Sequence, residues 1–104
     1  MAAIVRNTDV LAAVVARVLE AGAATFELEY EDGEEHVVAF SGAVGVGVAA
    51  LPSDSEDAHE LRRQLYAVNR KRRKIICAGV EYDLRVEIFD SFGEDGFRAT
   101  ITRS

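Results

Sequence analysis

The sequence contains only one cysteine, Cys77. A single thiol excludes an internal disulfide and a cysteine-based zinc site, so the fold must be stabilised by its core. No apolar run approaches the roughly 18 residues needed to cross a bilayer. Residues 1–10 also lack the basic start, apolar stretch and cleavage site of a secretory signal. We therefore expect a cytoplasmic protein without membrane insertion.

Motifs for nucleotide binding and catalysis are also missing. The sequence has no GxxxxGK[ST] phosphate loop and no Gly-x-Ser-x-Gly elbow. The stretch GVGVAA (45–50) fits G-x-G-x-x-A superficially, but it alternates like a strand and does not lie at a strand-to-helix turn. His36 and His59 lack metal-ligand spacing, and nothing in the sequence places either beside Cys77. We therefore expect no enzyme activity, catalytic residue, cofactor or metal site.

The charge is unevenly distributed along a chain whose net charge is −6. Seven of the 12 basic residues fall between Arg62 and Lys74. Five of them form a continuous basic run, namely Arg70, Lys71, Arg72, Arg73 and Lys74. Such a run can bind phosphates or an acidic protein face, although basic residues also suit the C-terminal end of a helix. Because the rest of the chain is acidic, the balance favours a protein partner over nucleic acid.

Apolar residues at helical spacing predict two helices. The first runs from about Asp9 to Ala21, with Thr8 or Asn7 as its N-cap. The second follows Pro52, and the spacing of Ser53 and Glu56 fits a capping box. The apolar stripe of this second helix comprises Ala58, Leu61, Leu65 and Val68.

Alternating apolar and polar residues predict six strands. The dipeptide Asp32-Gly33 indicates a tight hairpin, because its primed turn requires positive φ angles. The first strand lies in TFELEY (25–30) and the third in AVGVGVAAL (43–51). The other four are expected at Glu35–Phe40, Lys74–Ala78, Tyr82–Phe89 and Phe97–Thr102.

These elements predict one α+β domain over residues 1–104, in the order α-β-β-β-α-β-β-β. Short turns imply an antiparallel sheet of about six strands with both helices on one face. A strand at the edge of such a sheet can pair with another chain. The apolar-rich stretch AVGVGVAAL is the candidate for that edge, which makes a homodimer possible.

The segment EYDLRVEIFDSFGEDGFRATI (81–101) carries a family resemblance. Its pieces Leu84-Arg85-Val86, Gly93-Glu94 and Arg98 resemble the pattern D-L-R-V-S…P-T…G-E…R-I in the secretion ATPases of type II secretion and type IV pilus assembly. The pattern ends the small domain that precedes their ATPase core. The pieces EAGAATFELEYEDGEE, HVVAFSG and RKIICAGVEYDLRV follow in the same order as in that domain. The resemblance thus spans roughly Val10 to Ile101, with Phe26-Glu27-Leu28 replacing an Asp-x-His piece and Asp90-Ser91 replacing Pro-Thr.

The resemblance implies a binding role. In that family, arginines of the small domain reach toward the nucleotide held by the ATPase core, and Arg85 and Arg98 match such positions. Without a phosphate loop, the chain is similar to a stand-alone, degenerate copy of the small domain. We therefore expect a non-catalytic protein-interaction module, a regulator or assembly factor that binds itself or a protein such as a secretion or pilus component. The candidate binding residues are Arg85, Arg98 and Glu94, together with the basic run. The alternative is a small nucleic-acid-binding domain that uses the basic stretch 62–74.

Overall fold

The structure, a computed structural model, describes residues 9–104. It contains two helices and six strands in the predicted α+β order, which is confirmed. The elements are α1 (Val10–Glu20), β1 (Thr25–Glu31), β2 (Glu34–Ser41), β3 (Val44–Pro52), α2 (Glu56–Arg70), β4 (Arg73–Cys77), β5 (Val80–Ser91) and β6 (Glu94–Arg103).

The six strands form one antiparallel sheet in the order β3-β2-β1-β6-β5-β4. Strands β1, β2 and β3 form one meander, and β4, β5 and β6 form the other. The two meanders join at the centre, where β1 pairs with β6 and Thr25 lies opposite Thr100. The sheet is therefore open, with β3 and β4 at its two edges.

One hydrophobic core lies between the helices and a single face of the sheet. The sheet contributes Phe26, Leu28 and Phe97, all fully buried, and each helix contributes its apolar stripe. The stripe predicted for α2 is buried at all four positions, Ala58, Leu61, Leu65 and Val68. Because both helices pack on the same core residues, the opposite face of the sheet is left uncovered. We call it the outer face.

The helix caps differ from those predicted. Asp9 caps α1, because its carboxylate accepts a hydrogen bond from the Ala12 N–H at 3.1 Å; Thr8 and Asn7 lie outside the described residues. Ser55, not Ser53, caps α2 by accepting from the Ala58 N–H at 3.1 Å. The prediction of Ser53 was wrong because β3 extends through Pro52. The backbone N–H of Ser53 donates to the Gly33 carbonyl, which holds this residue at the strand end.

Two hairpin turns at one end of the sheet have positive φ angles at both central residues. They are 53° and 82° at Asp32 and Gly33, which confirms the predicted hairpin. They are 53° and 87° at Phe92 and Gly93, in the turn between β5 and β6. Phenylalanine is a poor residue for this conformation, which asparagine and glycine adopt most readily.

Candidate functional site

The candidate binding residues occupy three separate places in the fold. Arg85 and Arg98 lie on the outer face, Glu94 lies beside the β5–β6 turn, and the basic run spans the connection from α2 to β4. The structure therefore does not gather them into one site.

Arg85 and Arg98 are diagonal neighbours on adjacent strands. Arg85 lies opposite Thr100, and Arg98 lies opposite Glu87. The Arg98 guanidinium donates from both Nε and Nη2 to Oε2 of Glu27, at 2.9 and 2.7 Å. This bond to Glu27 raises the pKa of Arg98. Arg98 is thus already committed to a carboxylate of its own sheet, whereas Arg85 is exposed and makes no ion pair within residues 9–104.

An aromatic ring covers the outer face next to Arg98. The Phe89 ring lies across Gly96, and a Cβ atom at Gly96 would come within 2.6 Å of that ring. The Arg98 guanidinium carbon lies 5.6 Å from the centre of the same ring, at cation–π distance. The absence of a side chain at Gly96 therefore allows Phe89, and with it Arg98, to lie flat on the sheet.

Glu94 lies too far along its strand to join the two arginines. It pairs in register with Ser91 at the turn. It lies four positions before Arg98 in an extended strand, which corresponds to about 13 Å. Of the three residues suggested by the family resemblance, the structure brings together only Arg85 and Arg98.

Ion pairs within the chain engage much of the basic stretch 62–74. Arg62 donates to the carboxylate of Glu35 at 3.1 Å, and Arg63 pairs with Glu60 one turn earlier on α2. Lys74 contacts two acids of β5 on the outer face, Glu81 at 3.1 Å and Asp83 at 3.0 Å. The hydrogen bond between Lys74 and Asp83 raises the pKa of Lys74 and lowers the pKa of Asp83.

Arg73 is held by the N-cap of the other helix. It pairs with Asp9, which also accepts a hydrogen bond from the Gln64 amide at 3.2 Å. Burial raises the pKa of Asp9, but the hydrogen bonds from Arg73, the Ala12 N–H and Gln64 outweigh it, so the pKa lies below its usual value. A single carboxylate thus caps α1 and ties it to α2 and β4.

The remaining basic residues border a groove. Arg70, Lys71 and Arg72 are exposed and make no ion pair with any residue of the described range. Beside Lys71 and Arg72 is a cavity of about 370 Å³, which we call the basic groove. It is lined by Arg63, Gln64, Ala67, Val68, Lys71, Arg72 and Arg73.

Strand β3 lies at the edge of the sheet, where AVGVGVAAL was predicted as a candidate. Within the part of the chain that the structure describes, it pairs only with β2. Val44 is 65% exposed and Val46 is 52% exposed. Both lie on the helix side of the sheet, since Val46 is opposite the buried Ala39, but the helices do not cover them. Arg17 of α1 donates to the Val48 carbonyl at 3.1 Å, beyond the exposed stretch.

Residues 9–104 also bear on three other kinds of site, namely a metal site, a membrane span and reactive histidine or cysteine side chains. No group of three or more histidine, cysteine or acidic side chains there could hold a metal ion. Neither α1 nor α2 is both long enough and apolar enough to span a bilayer. His36 lies 3.6 Å from Glu34, and Cys77 is a half-buried thiol at the end of β4.

Three features were not identified from the sequence. The Glu35–Arg62 and Asp9–Arg73 pairs join residues far apart in the chain, so no local pattern reveals them. The fully exposed Phe92 could have been noticed, because an aromatic residue directly before Gly93 occupies a turn position that has no core to face. No protein-family model matches the chain, and a comparison with curated proteins also gives no match.

Proposed function

We propose that this chain is a non-catalytic protein-interaction module that binds an extended segment of a protein partner at the β3 edge. The observation that carries the proposal is the edge position of β3, with Val44 and Val46 exposed beside it. An edge strand offers backbone N–H and C=O groups to a further strand, and neighbouring apolar side chains add contact area. The partner thus gains main-chain hydrogen bonds and buries two valines.

The family resemblance supports the choice of partner. A degenerate copy of the small domain of a secretion ATPase would act as a regulator or assembly factor on a secretion or pilus component. Arg85 is the residue through which that resemblance would act, because it is exposed and Arg98 is engaged by Glu27. The missing phosphate loop is consistent with a role that involves no catalysis.

The experiment is an affinity capture from native lysate, with nuclease and without it, using three forms of the tagged chain. The wild type is compared with Val44→Lys/Val46→Lys, which places charges on the edge, and with Ile76→Lys, an exposed apolar position on the opposite edge strand β4. We expect protein partners that survive nuclease, persist with Ile76→Lys and are lost with the double variant. Equal recovery with all three forms would contradict binding at β3.

A nucleic-acid-binding domain remains the second candidate, because Arg70, Lys71 and Arg72 are exposed and the last two line the basic groove. Three phosphate contacts would give a slope of about −2.7 for log K against log salt on duplex DNA. Binding that is absent at low salt, or that does not depend on salt, would exclude this candidate.

A further inference from the structure

The β5–β6 turn carries an aromatic side chain, Phe92, that is not part of the hydrophobic core. Phe92 is fully exposed, and its backbone has the left-handed φ of 53°. Neither packing within the described chain nor the geometry of the turn therefore favours phenylalanine here. Its side chain is available for contact with another molecule.

Acidic residues surround this aromatic side chain. Asp90 and Glu94 are exposed on either side of the turn, and Asp95 follows. Asp95 also accepts a hydrogen bond from the Tyr66 hydroxyl, which raises the pKa of Tyr66 and fixes the start of β6 against α2. We call residues 90–95 the Phe92 turn. This turn presents one apolar side chain bordered by negatively charged residues.

The basic groove has the opposite character. Ala67 and Val68 give it an apolar lining, and Lys71 and Arg72 add positive charges that no carboxylate within residues 9–104 pairs with. Its volume of about 370 Å³ leaves room for a phenyl ring. An aromatic side chain with acidic neighbours would bury its ring there and place its carboxylates near the lysine and arginine.

The Phe92 side chain cannot enter the basic groove of its own molecule. Arg73, at the groove, lies opposite Leu84 near the start of β5, whereas Phe92 follows the last residue of the same strand. Leu84 and Phe92 are eight positions apart, which corresponds to about 26 Å of extended chain. Contact between the surfaces therefore requires two copies of the chain.

We propose that copies of this chain associate head to tail, with the Phe92 turn of one copy seated in the basic groove of the next. The occupant is a second copy because this chain itself supplies both complementary charges, Asp90 and Glu94 on one surface and Lys71 and Arg72 on the other. Such an interface joins two different surfaces, so a pair of copies still has one unused groove and one unused turn. Repetition gives a ring if the rotation closes and a filament if it does not. This inference is independent of the β3 edge.

The test is sedimentation velocity over a range of protein concentrations, at low and at high salt. We expect the wild-type mass to rise with concentration and to fall with added salt, since the screening length shortens from about 10 Å at 0.1 M to about 3 Å at 1 M. Phe92→Asn removes the ring and retains the turn, because Asn-Gly is favoured in a primed hairpin. Lys71→Glu/Arg72→Glu reverses the sign of two charges in the basic groove. Each variant should associate at least tenfold more weakly, whereas Ile76→Asn, an exposed apolar control on β4, should leave association unchanged.

Mixing the two variants tests the head-to-tail geometry directly. Phe92→Asn retains an intact groove, and Lys71→Glu/Arg72→Glu retains an intact turn. An equal mixture should therefore form a heterodimer at concentrations at which each variant alone is monomeric. A mixture that stays monomeric would overturn the proposal, and so would a wild type that is monomeric at low salt and millimolar concentration. Association that is lost with Val44→Lys/Val46→Lys but kept with Phe92→Asn would place the interface at β3 instead.

Discussion

Replacing Arg62 by methionine is expected to destabilise the fold more than any other loss of a basic side chain in the stretch 62–74. Glu35 is only 4% exposed, and Arg62 donates to its carboxylate at 3.1 Å. The guanidinium carbon also lies 5.2 Å from the centre of the Phe97 ring. Methionine replaces the apolar part of the arginine side chain and removes the charged guanidinium. The Glu35 carboxylate then remains buried without its cation.

The size of the effect follows from the burial of the pair. Removing one partner of a buried ion pair costs roughly 3–5 kcal/mol, because the remaining charge is not compensated. The Arg62 side chain is 24% exposed, so water reaches part of the site and the lower end of that range applies. We expect Arg62→Met to lower the free energy of unfolding by about 3 kcal/mol, a large part of the roughly 5–15 kcal/mol of a typical domain. The double variant Glu35→Met/Arg62→Met should lie within about 1 kcal/mol of the wild type, because neither charge is then buried.

Urea denaturation at neutral pH, followed by far-ultraviolet circular dichroism, measures these differences. The matched control is Arg63→Met, the neighbouring residue of α2, whose partner Glu60 is on the surface of the same helix. It should leave the urea midpoint unchanged, because an exposed pair within one helix adds little. The reasoning would be refuted by a double variant as unstable as Arg62→Met, or by equal effects of Arg62→Met and Arg63→Met.

Three further substitutions test the cap, the outer face and the turn. Asp9 has a lowered pKa, so its ion-pair contribution is present above its usual value of 3.8 and is lost as the pH falls through the lower, folded-state value. Asp9→Asn should keep the helix cap and reduce the fall of the urea midpoint as the pH drops below 3.8; Asp9→Ala should lose a further ~1 kcal/mol, and identical pH profiles for Asp9→Asn and the wild type would contradict this account. Gly96→Ala should cost about 1 kcal/mol in thermal unfolding, because the new Cβ would lie 2.6 Å from the Phe89 ring, which must turn away on the uncovered outer face. Adding Phe89→Ala should recover part of that loss, and no recovery would place the strain elsewhere. Phe92→Asn should raise the melting temperature by about 4 °C or more, on an expected gain of about 1 kcal/mol from the turn; a lower melting temperature would show that Phe92 contributes to the folded monomer.

Periodicity was sufficient to predict the architecture, because the alternation of β1, β5 and β6 and the stripe of α2 each match the buried residues. The strand ends were predicted less accurately. Strand β6 begins at Glu94, not Phe97, because its pairing with β5 continues to the two-residue turn. In β2, both faces carry apolar residues, so alternation alone does not say which one faces the helices. The structure buries Val37 and Ala39 there, and Glu35 with them.

The candidate site was harder to predict for a physical reason. The chain shows a continuous basic run, but a local pattern cannot show which charges meet a carboxylate after folding. Arg73 and Lys74 became part of β4, where Asp9 and the acids of β5 engage them. Only the tertiary register determines that Arg70, Lys71 and Arg72 stay exposed, or that Arg98 is held by Glu27 while Arg85 is not.

The central pairing of β1 with β6 has a consequence for how the chain folds during synthesis. Thr25 meets Thr100, so the middle of the sheet depends on a contact between distant parts of the sequence. Such contacts close large loops and slow folding. During synthesis, one edge of β1 stays unpaired until β6 has left the ribosome. Meanwhile the meander β1 to β3 has no Phe97 or Ala99 beside Phe26 and Leu28 to complete its core. A nascent chain that ends before Glu94 should therefore be digested by protease even within β1 to β3, and release of the last strand should protect the whole sheet at once.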